Sequence, residues 1–155
     1  MVERLRVLSL NPGSSSLKLA LWELGAGEQL LWRAAAEGVG HPGARLWLEP
    51  AAPRQAAAPA AIDRRCELPD IRSAALAVFD LLDDIRSLAP EAIGLRVVHG
   101  GPEHAAPARV DPQLRAALRA LVPWAPLHLP GSLALIDAAL ERYPQLPQVD
   151  RKSVV

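Results

Sequence analysis

The sequence predicts an α/β domain in which helices flank a mixed β-sheet. Three observations favour this fold class. Short segments with strand periodicity fill the first part of the chain. A helical pattern then separates them from another apolar strand at residues 93–98, and a further strand opens at residues 148–149 after the last helical pattern. A helix between two strands of one sheet is typical of α/β architecture.

The first strands are predicted from alternating leucines. Residues 5–10 (LRVLSL) form a buried strand, and residues 11–16 (NPGSSS) are a turn cluster. Residues 17–22 (LKLALW) alternate with the period of two that is typical of a strand. The two strands therefore make a hairpin with glycine and serine at its tip. Two more strands are predicted at residues 29–35 and 45–49.

A proline-containing loop and a helix follow. Residues 51–61 (AAPRQAAAPAA) are of low complexity, and their prolines oppose a stable helix, so we expect a surface loop. Asp70 is the predicted N-cap of the helix. The apolar side chains on its buried face are Ile71, Ala74, Ala75, Val78, Leu82 and Ile85.

Two helices are predicted after the strand at residues 93–98. Asp111 followed by Pro112 is a typical helix start, and this helix extends to about Leu121. Residues 124–130 (WAPLHLP) form an irregular segment bounded by proline, and a last helix covers about residues 132–143.

The composition excludes several classes of protein. The 155 residues include 17 basic and 17 acidic side chains, so there is no net positive charge to favour nucleic acid. The single cysteine, Cys66, excludes an internal disulfide and a zinc site built on thiolates. The first residues do not resemble a signal peptide, and no apolar run approaches the roughly 18 residues of a membrane helix. We expect a cytoplasmic protein that binds neither nucleic acid nor membrane.

The predicted hairpin tip is a candidate phosphate site. Its glycine and three serines offer backbone N–H groups and hydroxyls close together, and Lys18 adds a positive charge. The spacing is not that of a Walker loop, because a strand rather than a helix follows the lysine. The alternative is a solvated turn, the commoner role of such a segment.

Arg96 is a second candidate because it lies within an apolar strand. It either pairs with a buried acid or the sheet edge, or it offers a guanidinium fork to a carboxylate or phosphoryl group. The two glycines after His99 let a ligand or another backbone come close, and we expect His99 itself to be structural. His128, held between prolines before the last helix, either donates to an anion or bonds a nearby carbonyl.

Three segments, LNPGSSSLK, RVVHGG and APLHLPGSL, in this order and at these separations, resemble the acetate kinase (acetokinase) family. The resemblance covers residues 5–149. It implies the ribonuclease-H-like sheet of the actin, sugar-kinase and Hsp70 superfamily. It also implies an enzyme, usually a homodimer, that transfers the γ-phosphoryl group of ATP to acetate with magnesium and forms acetyl phosphate.

Residue roles follow from this resemblance by position. Asn11 matches a residue near the magnesium, Ser14 and Ser16 line the phosphate loop, and Lys18 matches a residue assigned to ATP.

The remaining positions concern the acceptor substrate. Arg96 matches the arginine that engages acetate and the transferred phosphoryl group. Val98 and Leu127 match positions that line the pocket for the acetate methyl group, and His128 matches a histidine near the phosphoryl path.

The chain also departs from the family pattern. Pro12 stands where the family usually has alanine, and Leu129 where it usually has asparagine. Residues 1–149 match the N-terminal domain, and residues 150–155 form an off-pattern tail in which Asp150 is out of register with the catalytic aspartate. With that aspartate and the C-terminal nucleotide domain absent, the predicted fold is incomplete at its C-terminal end.

We therefore expect an acetate kinase fragment that is inactive alone. One alternative is a non-catalytic, half-length module that binds phosphate or docks with a partner, such as a separate C-terminal half. Another is a kinase for propionate or butyrate, because one methylene changes discrimination by only about 1–3 kcal/mol.

Overall fold

The computed structural model describes residues 3–52, 61–85 and 89–152, and it confirms the mixed sheet flanked by helices. Within these residues one sheet holds eight strands. The strands are β1 (Leu5–Pro12), β2 (Ser16–Leu24), β3 (Glu28–Glu37), β4 (Ala44–Pro50), β5 (Ile62–Cys66), β6 (Ala92–Val97), β7 (Ala108–Arg109) and β8 (Gln148–Lys152). The helices are α1 (Ile71–Asp84), α2 (Pro112–Ala120) and α3 (Leu129–Arg142), with a short 3₁₀ turn at Val122–Trp124.

The strand order in the sheet is β5-β4-β3-β2-β1-β6-β8-β7. The first five strands form an antiparallel meander. The next two neighbours, β6 and β8, run parallel to β1, and the chain reaches them through α1 and α3. Parallel strands need such crossovers. The carboxyl ends of β1, β6 and β8 therefore meet at one edge of the sheet, which we call the carboxyl edge.

The two faces of the sheet differ in burial. The leucines of β1 and β2 that point to one face, such as Leu8 and Leu19, are almost fully buried, and they share a core with α1 and α3. Alternate residues point to the opposite face, where Asn11 is half-buried and Lys18 and Arg96 are exposed. We call these the helix face and the open face.

Packing between α1 and α3 closes the core. Phe79 of α1 is fully buried, and its ring meets that of Tyr143 edge to face at 5.2 Å. The Tyr143 hydroxyl donates to Asp83 at 3.0 Å, and burial raises the pKa of Tyr143. Arg142 also pairs with Asp83 and with Asp80. Burying one large apolar side chain stabilises a fold by about 1.5–3 kcal/mol, whereas an exposed ion pair contributes about 0–1 kcal/mol. The apolar contacts between α1 and α3 therefore contribute more to stability than the ion pairs beside them.

Both predicted N-caps are confirmed. The Asp70 carboxylate accepts from the Ser73 N–H at 2.7 Å, and the Asp111 carboxylate accepts from the Leu114 N–H at 2.7 Å. Each bond satisfies one of the N–H groups that the first turn of a helix leaves without an intrahelical partner.

The structure corrects several element boundaries. Helix α3 begins at Leu129 rather than near Ser132, because Pro130 lies in the first turn, where its missing N–H is not needed. Strand β5 was not predicted, since its charged residues at the sheet edge lack apolar alternation. Strand β7 has only two residues. Of the loop predicted at residues 51–61, residues 53–60 lie outside the described residues.

The sequence predicts the start of β8 at residues 148–149, and in the structure this strand continues through Lys152. The boundary drawn after residue 149 thus falls inside a strand. None of the helices in the described ranges is long and apolar enough to cross a membrane.

The N-cap of α1 gives a stability prediction. Asp70→Ala should lower the free energy of unfolding by about 1 kcal/mol, because the Ser73 N–H loses its acceptor, whereas Asp70→Asn keeps an acceptor and should cost less. The N–H bond lowers the pKa of Asp70. Stability from this charge is therefore present above the usual carboxyl pKa and is lost as the pH falls through the lowered value. Urea unfolding near neutral pH and in acid measures both effects.

The Asn variant is the control for the charge. It should show a smaller loss of stability in acid than the unsubstituted chain. An identical acid loss in the two proteins would contradict this assignment.

Candidate functional site

A row of polar side chains crosses the open face near the carboxyl edge. The strand register pairs Asn11 of β1 with Lys18 of β2, and Arg96 of β6 with Arg151 of β8. The Arg96 guanidinium (Nη1) donates to Asn11 Oδ1 at 3.3 Å, which joins the two pairs across four strands. Paired residues of neighbouring strands project from the same face. We call Lys18, Asn11, Arg96 and Arg151 the polar row.

A depression of ≈ 350 Å³ lies at the β1, β6 and β8 side of this row. Its lining residues are Ser9, Leu10, Asn11, Gly94, Leu95, Arg96 and Arg151. Gly94 lies opposite Ser9 in the register, and a Cβ placed on Gly94 would meet no atom within 4 Å. The missing side chain therefore leaves open space beside Arg96.

The polar row carries three positive charges and an amide. Neighbouring strands are about 4.8 Å apart, so all three cations lie within roughly 15 Å. The residues that line the depression include no acid. Arg96 is exposed, so its charge is not buried in the apolar strand. A local excess of positive charge of this kind attracts anions.

The hairpin tip lies beside the row at the carboxyl edge. The Gly13 N–H donates to the Ser16 carbonyl at 2.7 Å, and the Val39 N–H donates to the Ser15 carbonyl at 2.9 Å. A Cβ on Gly13 would lie 2.6 Å from Ser16 Oγ, so a larger residue at this position would require the Ser16 hydroxyl to rotate away. Ser14 is exposed at the tip. Ser14, Ser16 and Lys18 are thus close in the fold, as their sequence order requires.

The other residues predicted to bind substrate do not line the depression. Val98 follows β6 and is half-buried, two residues beyond Arg96. Leu127 is 84% exposed and His128 is exposed, both in the turn before α3. Helix α3 leads back to the start of β8, so this turn lies at the carboxyl edge. Leu127 is therefore exposed rather than enclosed among apolar side chains.

Two neighbouring residues have structural roles. His99 Nδ1 accepts from the Gly101 N–H at 3.0 Å, which closes the turn after β6 and agrees with the expected structural role. Leu129, where the family usually has asparagine, is fully buried at the start of α3. It anchors the helix to the core and offers no polar contact to the open face.

Asp150 lies on the opposite face from the polar row. It pairs in register with Leu95, and it is fully buried. Its carboxylate accepts from the Ala108 N–H at 2.8 Å, which ties β8 to β7. This placement supports the expectation that Asp150 does not replace a catalytic aspartate.

The donor set does not fit a metal site of its own. Among the described residues there is no group of three or more His, Cys, Asp or Glu side chains that could hold a metal ion. Asn11 Oδ1, the predicted magnesium ligand, accepts from Arg96. A hard divalent cation prefers several oxygen ligands, so Asn11 alone is insufficient, and no chemical step at this site is assigned to a metal.

Sequence reasoning missed Ser9, Gly94 and Arg151. The first two precede recognised residues by two positions, and strand periodicity places them on the same face as Asn11 and Arg96. Arg151 was assigned to the tail. Extending the strand beyond Val149 with a period of two would have placed it on the open face.

The sequence profile of the Acetokinase family matches residues 6–151. The acetate kinase of Deinococcus deserti is 40% identical over 142 residues, which cover 92% of this chain and 34% of that protein. The chain therefore spans about a third of the length of this curated relative.

Solved structures also match this chain over about a third of their own length. The acetate kinase of Porphyromonas gingivalis superposes with a TM-score of 0.79 and 28% identity, covering 96% of this chain and 37% of that one. A propionate kinase from Francisella tularensis gives a TM-score of 0.78 and 26% identity, covering 96% and 36%. The likeness confirms the predicted ribonuclease-H-like fold class.

The placement of Asp150 gives a second prediction. Asp150→Ala should lower the free energy of unfolding by roughly 1–3 kcal/mol, because the Ala108 N–H loses its acceptor. Asp150→Asn keeps an oxygen acceptor and should cost less. Neither change should alter phosphate affinity measured by calorimetry, since the side chain lies on the helix face. A folded Asp150→Asn variant that no longer binds phosphate would show that this carboxylate serves the site.

Proposed function

The chain belongs to the acetokinase family, and we propose that it forms the acceptor-binding part of a kinase that transfers the γ-phosphoryl group of ATP to acetate. The observation that carries the proposal is the hydrogen bond between Arg96 and Asn11 above the depression. By the resemblance, Arg96 matches a family position that engages the acceptor and Asn11 matches one near the magnesium. They lie at the carboxyl ends of parallel strands, where α/β sheets usually bind their ligands.

Phosphoryl transfer depends on positioning and on neutralising charge. A carboxylate oxygen of acetate attacks the γ-phosphorus, and the bond from that phosphorus to the β,γ-bridging oxygen breaks in line. The products are acetyl phosphate and ADP. Arg96 offers a planar fork of N–H donors to the carboxylate and to the transferred group. Asn11 accepts from Arg96 and so holds the fork over the depression.

The other side of the polar row suits the nucleotide. Lys18 is exposed on β2 and supplies a point charge for a phosphate of ATP. Ser14 and Ser16 add hydroxyl donors at the adjacent tip. His128 at the carboxyl edge supplies a further donor near the phosphoryl path. A requirement for magnesium, a homodimer and a cytoplasmic location stay predictions from the resemblance and the sequence.

Three short-chain acids are candidates for the acceptor: acetate, propionate and butyrate. A propionate kinase is among the similar solved structures. Val98 and Leu127 are the predicted pocket residues, and Leu127 is too exposed here to limit the length of the acyl chain. Acetate is proposed because the similar curated relatives are acetate kinases.

The partner-docking alternative rests on two exposed apolar side chains. Trp124 is 81% and Leu127 is 84% exposed, and both lie before α3 at the carboxyl edge. Large apolar side chains exposed close together in the chain are candidates for a surface that another domain or chain covers. A half-length module that binds phosphate and docks with a C-terminal partner would use this surface.

A chimera tests the kinase proposal. Residues 1–149 replace the matching segment of the Deinococcus deserti acetate kinase, and acetyl phosphate is trapped with hydroxylamine. We expect ATP-dependent product from acetate. Arg96→Ala should lower kcat by about 10²–10³, because a charged donor to the transition state is removed. Arg64→Ala on the edge strand β5 is the control and should leave kcat unchanged.

The proposal fails if the folded chimera forms no acyl phosphate from acetate, propionate or butyrate. Arg96→Ala with undiminished kcat would contradict the role of Arg96 alone.

We expect the 155-residue chain by itself to form no acyl phosphate above the enzyme-free rate. Its depression is open and has no acid in its lining, and Asp150 points to the other face. The same trapping assay measures this. Ordinary turnover by the pure chain would contradict the expectation.

A further inference from the structure

The open face carries apolar side chains as well as the polar row. In the register, Val7 of β1 lies between Ala92 of β6 and Trp22 of β2, and Leu5 pairs with Leu24. Strand periodicity places these residues on the same face as Asn11, at the end of the strands away from the carboxyl edge. We call this set the apolar belt, and its members are Leu5, Val7, Trp22, Leu24, Leu30 and Ala92.

The apolar belt is separate from the core. Leu5 is 43% exposed, and the other members are half-buried. Among the described residues, neither the core cluster nor the apolar side chains packed against it include any member of the belt. The helices α1, α2 and α3 all contribute their buried side chains to that cluster, which lies on the helix face. Within the part of the chain that the structure describes, no helix therefore covers the belt.

The strands beneath the belt favour a helix as its cover. Strands β1 and β6 are parallel neighbours. Parallel strands usually have both faces covered, and the covering elements are helices. Here α1 and α3 supply one of these layers, and the layer on the open face is missing from the described residues.

The row between the belt and the polar row is lined by small residues. Gly94, Ser9 and Ala20 are register neighbours, and we call them the trough. A Cβ on Gly94 would meet no atom within 4 Å. Ser9 Oγ donates to the Ala20 carbonyl at 3.2 Å, so this hydroxyl has its hydrogen bond within the sheet. Small residues let another backbone come close to a sheet.

The size of this surface selects one helix rather than a second copy of the chain. Belt and trough together extend about 15 Å across the strands and about 13 Å along them, which is roughly 200 Å² of sheet. A stable dimer buries about 800 Å² on each partner. A helix is about 10–12 Å wide with its side chains, so one helix of two to three turns spans β1 and a neighbouring strand.

Charge adds a second requirement on the partner. The trough leads to the polar row with its three cations. A helix that lies on the belt and the trough ends beside this row. Acidic side chains at that end are attracted to the row, and basic ones are repelled.

We propose that the apolar belt is the docking surface for one amphipathic helix, which lies along β1 and completes the second helical layer of the sheet. The helix has an apolar stripe toward the belt and an acidic end beside the polar row. Its source is the part of the kinase that has no counterpart in this chain, an assignment that rests on the proposed function. The matched residues cover 34% of the Deinococcus deserti acetate kinase, so about two thirds of that relative is available to supply it.

Cysteine labelling tests whether the belt becomes covered. Leu5→Cys is prepared in a Cys66→Ala background, in the 155-residue chain and in the chimera with the Deinococcus deserti enzyme. Position 5 is about 20 Å along the sheet from the row of Arg96, so the label does not reach the depression. A maleimide should modify it at least about tenfold more slowly in the chimera than in the chain alone. Arg64→Cys on the exposed edge strand is the matched control and should react equally in both proteins.

A cross-link identifies the occupant. A benzophenone maleimide attached to Leu5→Cys or Leu24→Cys is photolysed in the chimera, and the linked peptides are identified by mass spectrometry. The residues reached should lie outside the 1–149 segment and be three or four positions apart, which is the spacing on one face of a helix. A spacing of two would show a strand instead and would overturn the proposal.

Two other results would also overturn it. One is equal labelling of Leu5→Cys in the folded chimera and in the chain alone. The other is protection in the chain alone that grows with concentration and gives cross-links between two copies, because a second copy would then be the occupant. Mixing the 155-residue chain with the remaining part of the Deinococcus deserti enzyme repeats the labelling without a chimera, and the same protection is expected.

Thermal unfolding gives an independent readout. Leu5→Glu places a carboxylate on a side chain that is partly exposed in the chain alone, so the Tm of that chain should change little. In the chimera the same carboxylate is buried under the helix, and the Tm should fall by several degrees. Equal changes in the two proteins would contradict the docking of a helix at this position.

The kinase proposal and the docking proposal fail differently. A folded chimera that makes no acyl phosphate but protects Leu5→Cys would overturn the kinase proposal and leave the docked helix. A kinase-active chimera that labels Leu5→Cys as fast as the chain alone would overturn the docked helix and leave the kinase.

Discussion

The parallel pairing of β1 with β6 is the constraint on which the site depends. It brings Asn11 beside Arg96 across 85 positions of sequence and allows the hydrogen bond between them. The pairing is held by the leucines of the helix face, which α1 and α3 cover. Because side chains alternate along each strand, burying Leu10 and Leu95 on one face commits Asn11 and Arg96 to the other.

Local signals were sufficient for much of the fold. The leucine alternation predicted the β1–β2 hairpin, and an aspartate before each helical pattern predicted the starts of α1 and α2. Edge strand β5 and the two-residue β7 have no such signal, because their place in the sheet is set by β4 and β8 rather than by their own pattern. The start of α3 was misjudged because a proline in the first turn of a helix looks like a boundary.

Only part of the site could be predicted from the sequence. The resemblance put Asn11, Lys18 and Arg96 in one place, and the register shows them in one row. Arg151 was not recognised, since a departure from the family pattern was taken for a tail. It takes the β6–β8 register to show that this departure adds a charge beside Arg96. The structure thus places Arg151 on the same face of the sheet as Arg96 and Lys18.

Backbone-amide NMR of the 155-residue chain, titrated with inorganic phosphate, tests this account most directly. The largest shifts should fall on Asn11, Gly94, Arg96 and Arg151, which line the depression on the open face. Shifts confined to residues 25–28 at the far hairpin, or no shifts at all, would contradict the claim that the polar row binds phosphate.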